Sequence, residues 1–164
     1  QNMFPLLGKI ALYLADKIIV LKEGKILQQG SPDKIYNFPV NKYVASFFGK
    51  ANFYETMISD EKYLLPFPIN LNKLDTKRFD KVGICVRPTG FNIHAAGSIS
   101  GILQNIYFLG PVQELRLCVL FREKIYDFII HTNPSAIYNI GQEIKFDVLP
   151  EAVHYLRGEA TTWD

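Results

Sequence analysis

The sequence predicts a mainly β protein, a small barrel or sandwich preceded by a β-hairpin and two short helices. Three observations carry this. Leu115, Leu117, Val119 and Phe121 alternate with Glu114 and Arg116, and Ile144, Phe146 and Val148 alternate with Glu143, Lys145 and Asp147, the period-two pattern of half-buried strands. Beyond residue 50, turn signals recur about every eight to twelve residues and no strongly periodic helix intervenes. Before residue 50, the apolar run Lys17 to Leu21 meets Lys22-Glu23-Gly24-Lys25, where an X-Gly pair suits the positive φ of a two-residue hairpin turn. A closed barrel is preferred over a sandwich because closure hides strand edges.

Taken in order, the first strand returns over Ile26 to Gln29 and Gly30 breaks it. Ser31 is placed to accept hydrogen bonds from the first helical N–H groups, and Pro32 fits the first helical position, where no N–H is needed. A short helix is expected from Pro32 to Asn37, stopped by Pro39. A second follows, with Val40, Val44, Phe47 and Phe48 at helical spacing and Gly49 closing it. Strands are then expected over Asn52 to Ser59 and Tyr63 to Ile69, the latter kept to a sheet edge by Pro66 and Pro68. Asn70 to Lys81 reads as a loop, Val82 to Arg87 as a strand ended by Pro88, and Phe91 to His94 as its continuation. Ile99 to Leu109 and Val112 to Phe121 flank the bend Gly110-Pro111. Ile125 to His131 and Glu143 to Leu149 complete the strands, Pro150 to Leu156 reads as a helical turn, and Arg157 to Asp164 as a frayed tail.

Leu14-Ala15-Asp16-Lys17, Gly24-Lys25, Gln28, Gly30-Ser31-Pro32, Ile35-Tyr36, Pro39, Tyr43-Val44-Ala45, Phe47-Phe48-Gly49 and Asn52 occur at fixed spacings. This set resembles the end of the ATPase domain in ABC-importer ATP-binding subunits. Gly83-Ile84, Val86-Arg87-Pro88, Phe108-Leu109-Gly110 and the final strand after Gly141 resemble the TOBE module, an OB-fold-like β domain of the same subunits. The resemblance implies three parts: residues 1–50 as the C-terminal remnant of an ABC ATPase domain, residues 51–156 as the TOBE regulatory domain, and residues 157–164 as a tail. In that family the TOBE module pairs subunits and conveys regulatory signals. Thr89 departs from it, since an acidic residue usually follows Arg-Pro there.

The ATP site of that family is not visible. Its switch His falls at Leu6, and Gln1 to Ile10 fits the family poorly. A phosphate loop needs G-x-x-x-x-G-K-[ST], yet none of Gly8-Lys9, Gly24-Lys25 or Gly49-Lys50 is followed by Ser or Thr or preceded five residues earlier by Gly. The expectation is therefore a non-catalytic stretch of a longer transport ATPase, with no cofactor of its own; ATP and Mg would belong to the full-length parent.

Composition fits a folded chain. Of 164 residues 48% are hydrophobic and 21% charged, a balance that does not suit wholesale disorder. Cys85 and Cys118 share no metal-type spacing, and His94, His131 and His154 are scattered, so no metal site is implied. Residues 1–50 carry seven Lys and Arg against three Asp and Glu, and residues 51–164 carry eleven against thirteen, for net charges of +4 and −2. A nucleic-acid-binding OB-fold protein is the alternative reading, kept open by twelve Phe and nine Tyr. The acidic balance of the β part argues against it, so no nucleic acid is expected. No apolar run is long enough for a membrane span, and Phe4 to Leu14 resembles a signal core only faintly, interrupted as it is by Gly8-Lys9.

The expected function is the regulatory and dimerisation region of an ABC importer's ATP-binding subunit, taking up ferric ion, an oxyanion or a polyamine. Permease subunits would be partners of the full-length ATPase, and the place of work the cytoplasm, at the inner face of the cell membrane. A homodimer is expected, and the resemblance makes Arg87, Pro88, Phe108, Leu109 and Gly110 candidate contacts. Arg87 has a plainer reading as a strand-end arginine in water, and Phe108-Leu109-Gly110 as a bend filled by core side chains. Ile18, Ile19, Val20 and Leu21 are consecutive and apolar, so both faces of the first strand need cover. The hairpin is therefore expected to pack on the β domain or to pair with a second copy, which makes Ile18 and Val20 candidate contacts too.

Overall fold

The computed structural model describes residues 4–57, 65–70 and 81–156, which form two packed units. The N-terminal unit begins with helix α1 (Phe4–Leu14), continues through the antiparallel hairpin of β1 (Ile18–Lys22) and β2 (Lys25–Gly30), and ends with α2 (Pro32–Asn37) and α3 (Lys42–Phe47). Glu23 and Gly24 turn the hairpin at φ of 52° and 76°. Ile18, Val20, Ile35, Val44 and Phe48 form this unit's core. At Gly8 of α1 an added Cβ would lie 2.2 Å from the carbonyl oxygen of Phe47, so glycine lets the two backbones approach closely.

Several expectations change here. Phe4 to Leu14 is a helix; the apolar run lacks the polar alternation that would have shown a helical period, and packing on α3 decides the conformation. Ile18 and Val20, expected as partner contacts, are turned inward onto α2 and α3, while Ile19 and Leu21 are 51% and 58% exposed. The cover for β1 therefore comes from the chain's own helices, on one face only. Ser31 sits at the α2 N-cap without bonding a helical N–H. The neighbouring Ser31 hydroxyl instead helps hold the Asp33 carboxyl below its ordinary range. At α3 the cap is made as such caps usually are, Asn41 Oδ1 accepting from the Val44 N–H at 2.9 Å.

The second unit has two sheets. Strands β3 (Asn52–Met57), β4 (Lys81–Val86) and β10 (His154–Leu156) form one, in the order β10-β4-β3. Strands β5 (Phe91–Ile93), β6 (Ile99–Phe108), β7 (Gln113–Phe121), β8 (Lys124–Thr132) and β9 (Glu143–Val148) form a curled sheet in the order β5-β9-β6-β7-β8, the wall of an OB-like half-barrel. Their inner faces share a core in which Leu103, Leu115, Leu117, Phe128, Ile130 and Phe146 are fully buried. Val119 and Ile144 join them as expected, and Val148 packs at the margin. Gly101 faces this core beneath Val119, whose Cγ2 an added Cβ would meet at 2.9 Å.

The barrel is not closed by a continuous backbone ladder among the described residues. Where β3 meets β8, Asn52 stands in for the missing strand pairing: its Nδ2 donates to the carbonyls of Val86 and Ile129 at 3.2 and 2.8 Å, and its Oδ1 accepts the Ile129 N–H at 2.7 Å. Tyr54 Oη donates across the same seam to the Asp127 carbonyl. Residues 65–70 are irregular and not the expected edge strand, because Pro66 and Pro68 supply no N–H for a ladder; Leu65, Phe67 and Ile69 still point into the core. Pro150 to Leu156 is a 3₁₀ turn (Pro150–Ala152) followed by β10, where a helical turn was expected. The frayed tail, most of the loop after Asn70, and residues 58–59 and 63–64 of the expected strands lie outside the described residues.

Candidate functional site

The densest set of polar contacts between the two units centres on Arg87. It follows β4, and Pro88 behind it ends the strand, so the side chain leaves the sheet toward the N-terminal unit. It is 8% exposed. Nε and Nη2 donate to the Tyr36 carbonyl at 3.2 and 2.9 Å, and Nη1 donates to the carbonyls of Ala45, Gly49 and Lys50 at 3.0, 3.2 and 3.3 Å. The guanidinium also lies over the Tyr36 ring, 4.1 Å from its centroid.

The carbonyls explain the placement. Tyr36 and Ala45 lie in the last turns of α2 and α3, and Gly49 and Lys50 follow directly, with Gly49 at φ 141°. Helix C-termini leave carbonyls without intrahelical partners and carry partial negative charge. One guanidinium, with five N–H groups in a planar fork, answers two such ends at once. Burial pulls the Arg87 pKa down from its ordinary value, with Cys85 and Tyr36 acting in the opposite sense. Burial also pushes the Cys85 thiol up, to about 11, against the effect of Arg87, which makes it an inert thiol.

Around Arg87 the contact is reinforced. Ala45, Cys85 and Leu156 form a small apolar core with Ala51 and Phe53. His154 Nε2 donates to the Pro39 carbonyl at 2.9 Å, and its ring meets Phe38 edge-on. On the other side of the connecting segment, Lys50 Nζ donates to both oxygens of Glu114 at 2.8 and 2.7 Å. Glu114 is fully buried and also receives Arg116 Nε at 3.2 Å and His131 Nε2 at 3.4 Å. Burial raises its carboxyl pKa, but the bonds from Lys50, Arg116 and His131 outweigh this and hold it below the ordinary carboxylate value. A cleft of about 920 Å³ opens beside Arg87, lined among others by Tyr36, Phe38, Thr89, Glu151 and His154.

The candidate contacts named from the sequence do not form one site. Arg87 lies at the junction and is buried, which replaces the reading of it as an arginine in water. Pro88 lies beside it and accepts the His131 N–H through its carbonyl at 2.8 Å. Phe108 and Leu109 are 75% and 45% exposed at the β6–β7 bend, so core side chains do not fill that bend, and Gly110 turns it at φ 86°. Ile18 and Val20 belong to the N-terminal core. Lys50, Asn52, Glu114 and His154 were not named as contacts, although Asn52 stood among the family-matching positions. Glu114 looked like the solvent face of an alternating strand, and Lys50 was weighed as part of a phosphate loop and of the Gly49-to-Phe53 segment, not as an ion-pair partner. Among the described residues no group of three or more His, Cys, Asp or Glu is arranged to hold a metal, and no helix is long and apolar enough to cross a membrane.

No protein-family model matches the chain. Individual relatives do. The spermidine/putrescine import ATP-binding protein PotA of Aster yellows witches'-broom phytoplasma is 34% identical over 151 residues, covering 89% of this chain and 34% of the relative. The protein of the same name from Clostridioides difficile is 31% identical over 159 residues, covering 91% of this chain and 42% of the relative. That of Desulfitobacterium hafniense is 29% identical over 159 residues, covering 90% and 42%. This chain thus spans well under half the length of these relatives, and the similarity runs through both of its units. Over about nine-tenths of its length the chain is similar to part of spermidine/putrescine import ATP-binding proteins.

Proposed function

We propose that this chain is the C-terminal regulatory region of the ATP-binding subunit of a polyamine importer, in which the OB-like unit rides on the end of the ATPase domain. The supporting observation is that about nine-tenths of the chain, hairpin and helices together with the β unit, aligns with spermidine/putrescine import ATP-binding proteins. Among ferric ion, oxyanions and polyamines, the similarity to spermidine/putrescine import proteins favours polyamines. The absence of a G-x-x-x-x-G-K-[ST] loop supports a non-catalytic role for this stretch, ATP and Mg being held elsewhere in a full subunit. Permease subunits at the inner face of the cell membrane are the partners this role needs, and a second copy of the β unit is the partner for dimerisation.

Uptake measurements test this. Disrupting the gene that carries this sequence should abolish uptake of labelled spermidine or putrescine and leave ferric-ion and sulfate uptake unchanged. Intact polyamine uptake alongside lost ferric-ion uptake would assign the importer to the other class. A permease that co-purifies with the tagged chain's parent subunit supports the partner; none in a detergent that preserves such complexes counts against it.

A further inference from the structure

We propose that Arg87 is the coupling residue of this fold, a shared cap through which the N-terminal unit and the β unit move as one body. Four backbone carbonyls, from the ends of α2 and α3 and the segment after them, converge on a guanidinium carried by the β unit. No carboxylate among the described residues pairs with it, so its charge is balanced by the carbonyl ends of the two helices. That makes the contact sensitive to helix position. A shift of either helix by an ångström or so takes its carbonyl out of hydrogen-bond range while leaving a buried cation behind.

The residues on either side carry such a shift onward. Pro88 accepts from the His131 N–H at the end of β8, and the Gly90 carbonyl accepts from the Leu149 N–H ahead of the 3₁₀ turn at 2.9 Å. On the N-terminal side, the Tyr36 carbonyl is held by both Nε and Nη2, so α2 cannot rotate without moving the fork. The connecting segment has no slack of its own, since Lys50 is held to Glu114 and Asn52 to Ile129. Arg87 is therefore a positioning residue: its hydrogen bonds go to the ends of both helices and the segment after them. Lysine cannot replace it, because a single ammonium does not span carbonyls from two helices. This holds whether or not the transport role is right, since it concerns only contacts within the chain.

Paired spin labels at exposed Lys25 and Lys145, introduced as cysteines into the full chain with Cys118→Ser, test it together with hydrogen exchange. The parent should give one narrow distance. Arg87→Met and Arg87→Lys should both broaden it, and should speed exchange at Ile35 and Ala45 by about tenfold while the amides of Leu117 and Ile130 change by less than about twofold. An unchanged distance in both variants would overturn the proposal and leave the coupling to the apolar patch and His154. Loss of protection at Leu117 and Ile130 would overturn it too, by showing that Arg87 serves the β core. Restoration of the narrow distance by lysine would show that charge suffices and the two-helix fork is irrelevant.

Discussion

Lys50 and Glu114 stand 64 positions apart in the chain, yet one ammonium sits 2.7 and 2.8 Å from the two oxygens of a carboxylate that is wholly buried. The ammonium is half exposed and the carboxylate is not, so the two substitutions are unequal. Lys50→Met removes the main partner of a buried acceptor and should cost roughly 1.5–3 kcal/mol, read as a lower urea midpoint. A change below about 0.5 kcal/mol would show that Arg116 and His131 carry Glu114 by themselves.

The same carboxyl sets an acid limit. Its folded pKa lies below the ordinary value of 4.5, so its contribution is fully present above that value and is lost as pH falls through the lowered one. The stability difference between the parent and Glu114→Gln should therefore be constant at neutral pH and shrink below about pH 4.5. Urea titrations at several pH values measure it directly. A difference that grows on acidification would mean the shift has the opposite sign.

Leu117 and Leu120 are three residues apart on β7 and face opposite ways, at 1% and 72% exposure. Leu117→Ala should cost about 2–5 kcal/mol. Leu120→Ala should stay within about 0.5 kcal/mol. Equal losses would mean that the outer face is covered in solution.

The β7–β8 hairpin turns on Arg122 and Glu123 at φ of 46° and 63°, a conformation that suits glycine or asparagine. Relieving the left-handed strain, less the extra entropy glycine brings to the unfolded chain, should make Glu123→Gly more stable by about 0.5–1 kcal/mol. A rise in Tm is the expected reading; a fall would show that the side chain holds a contact worth more than the strain.

Mg-ATP should give no heat above dilution in calorimetry on this chain. Micromolar binding would overturn the placement of ATP outside this stretch.

How far the sequence foretold this molecule depends on the physics behind each signal. Helix α2 falls on Pro32 to Asn37 as expected, because Pro at its start and Pro39 after it are steric facts that no packing overrides. The inward set on β7 and β9 was legible because alternation follows from strand geometry. Alternation tells which face a residue occupies but not what covers that face, so Glu114 was placed in water. The seven contacts named in advance included Arg87 but scattered over both units, since motif positions carry no distance. The four carbonyls that give Arg87 its setting are backbone groups, which every residue possesses and no sequence advertises.

The side-chain bridge at Asn52 has a consequence for how the β unit fails. A backbone ladder behaves as a zip that parts one rung at a time from an end, whereas the β3–β8 line is held by buttons, Asn52 and Tyr54. Among the described residues, losing these two side-chain bonds loosens the line without breaking a backbone rung between strands. Behind that line lie Tyr54, Phe67 and Phe128, whose rings contact one another at 5.2 to 6.3 Å. When the wall gives way, an aromatic nest meets solvent before any sheet has melted, so a dye that seeks exposed rings should brighten under conditions where the strand signal is still intact.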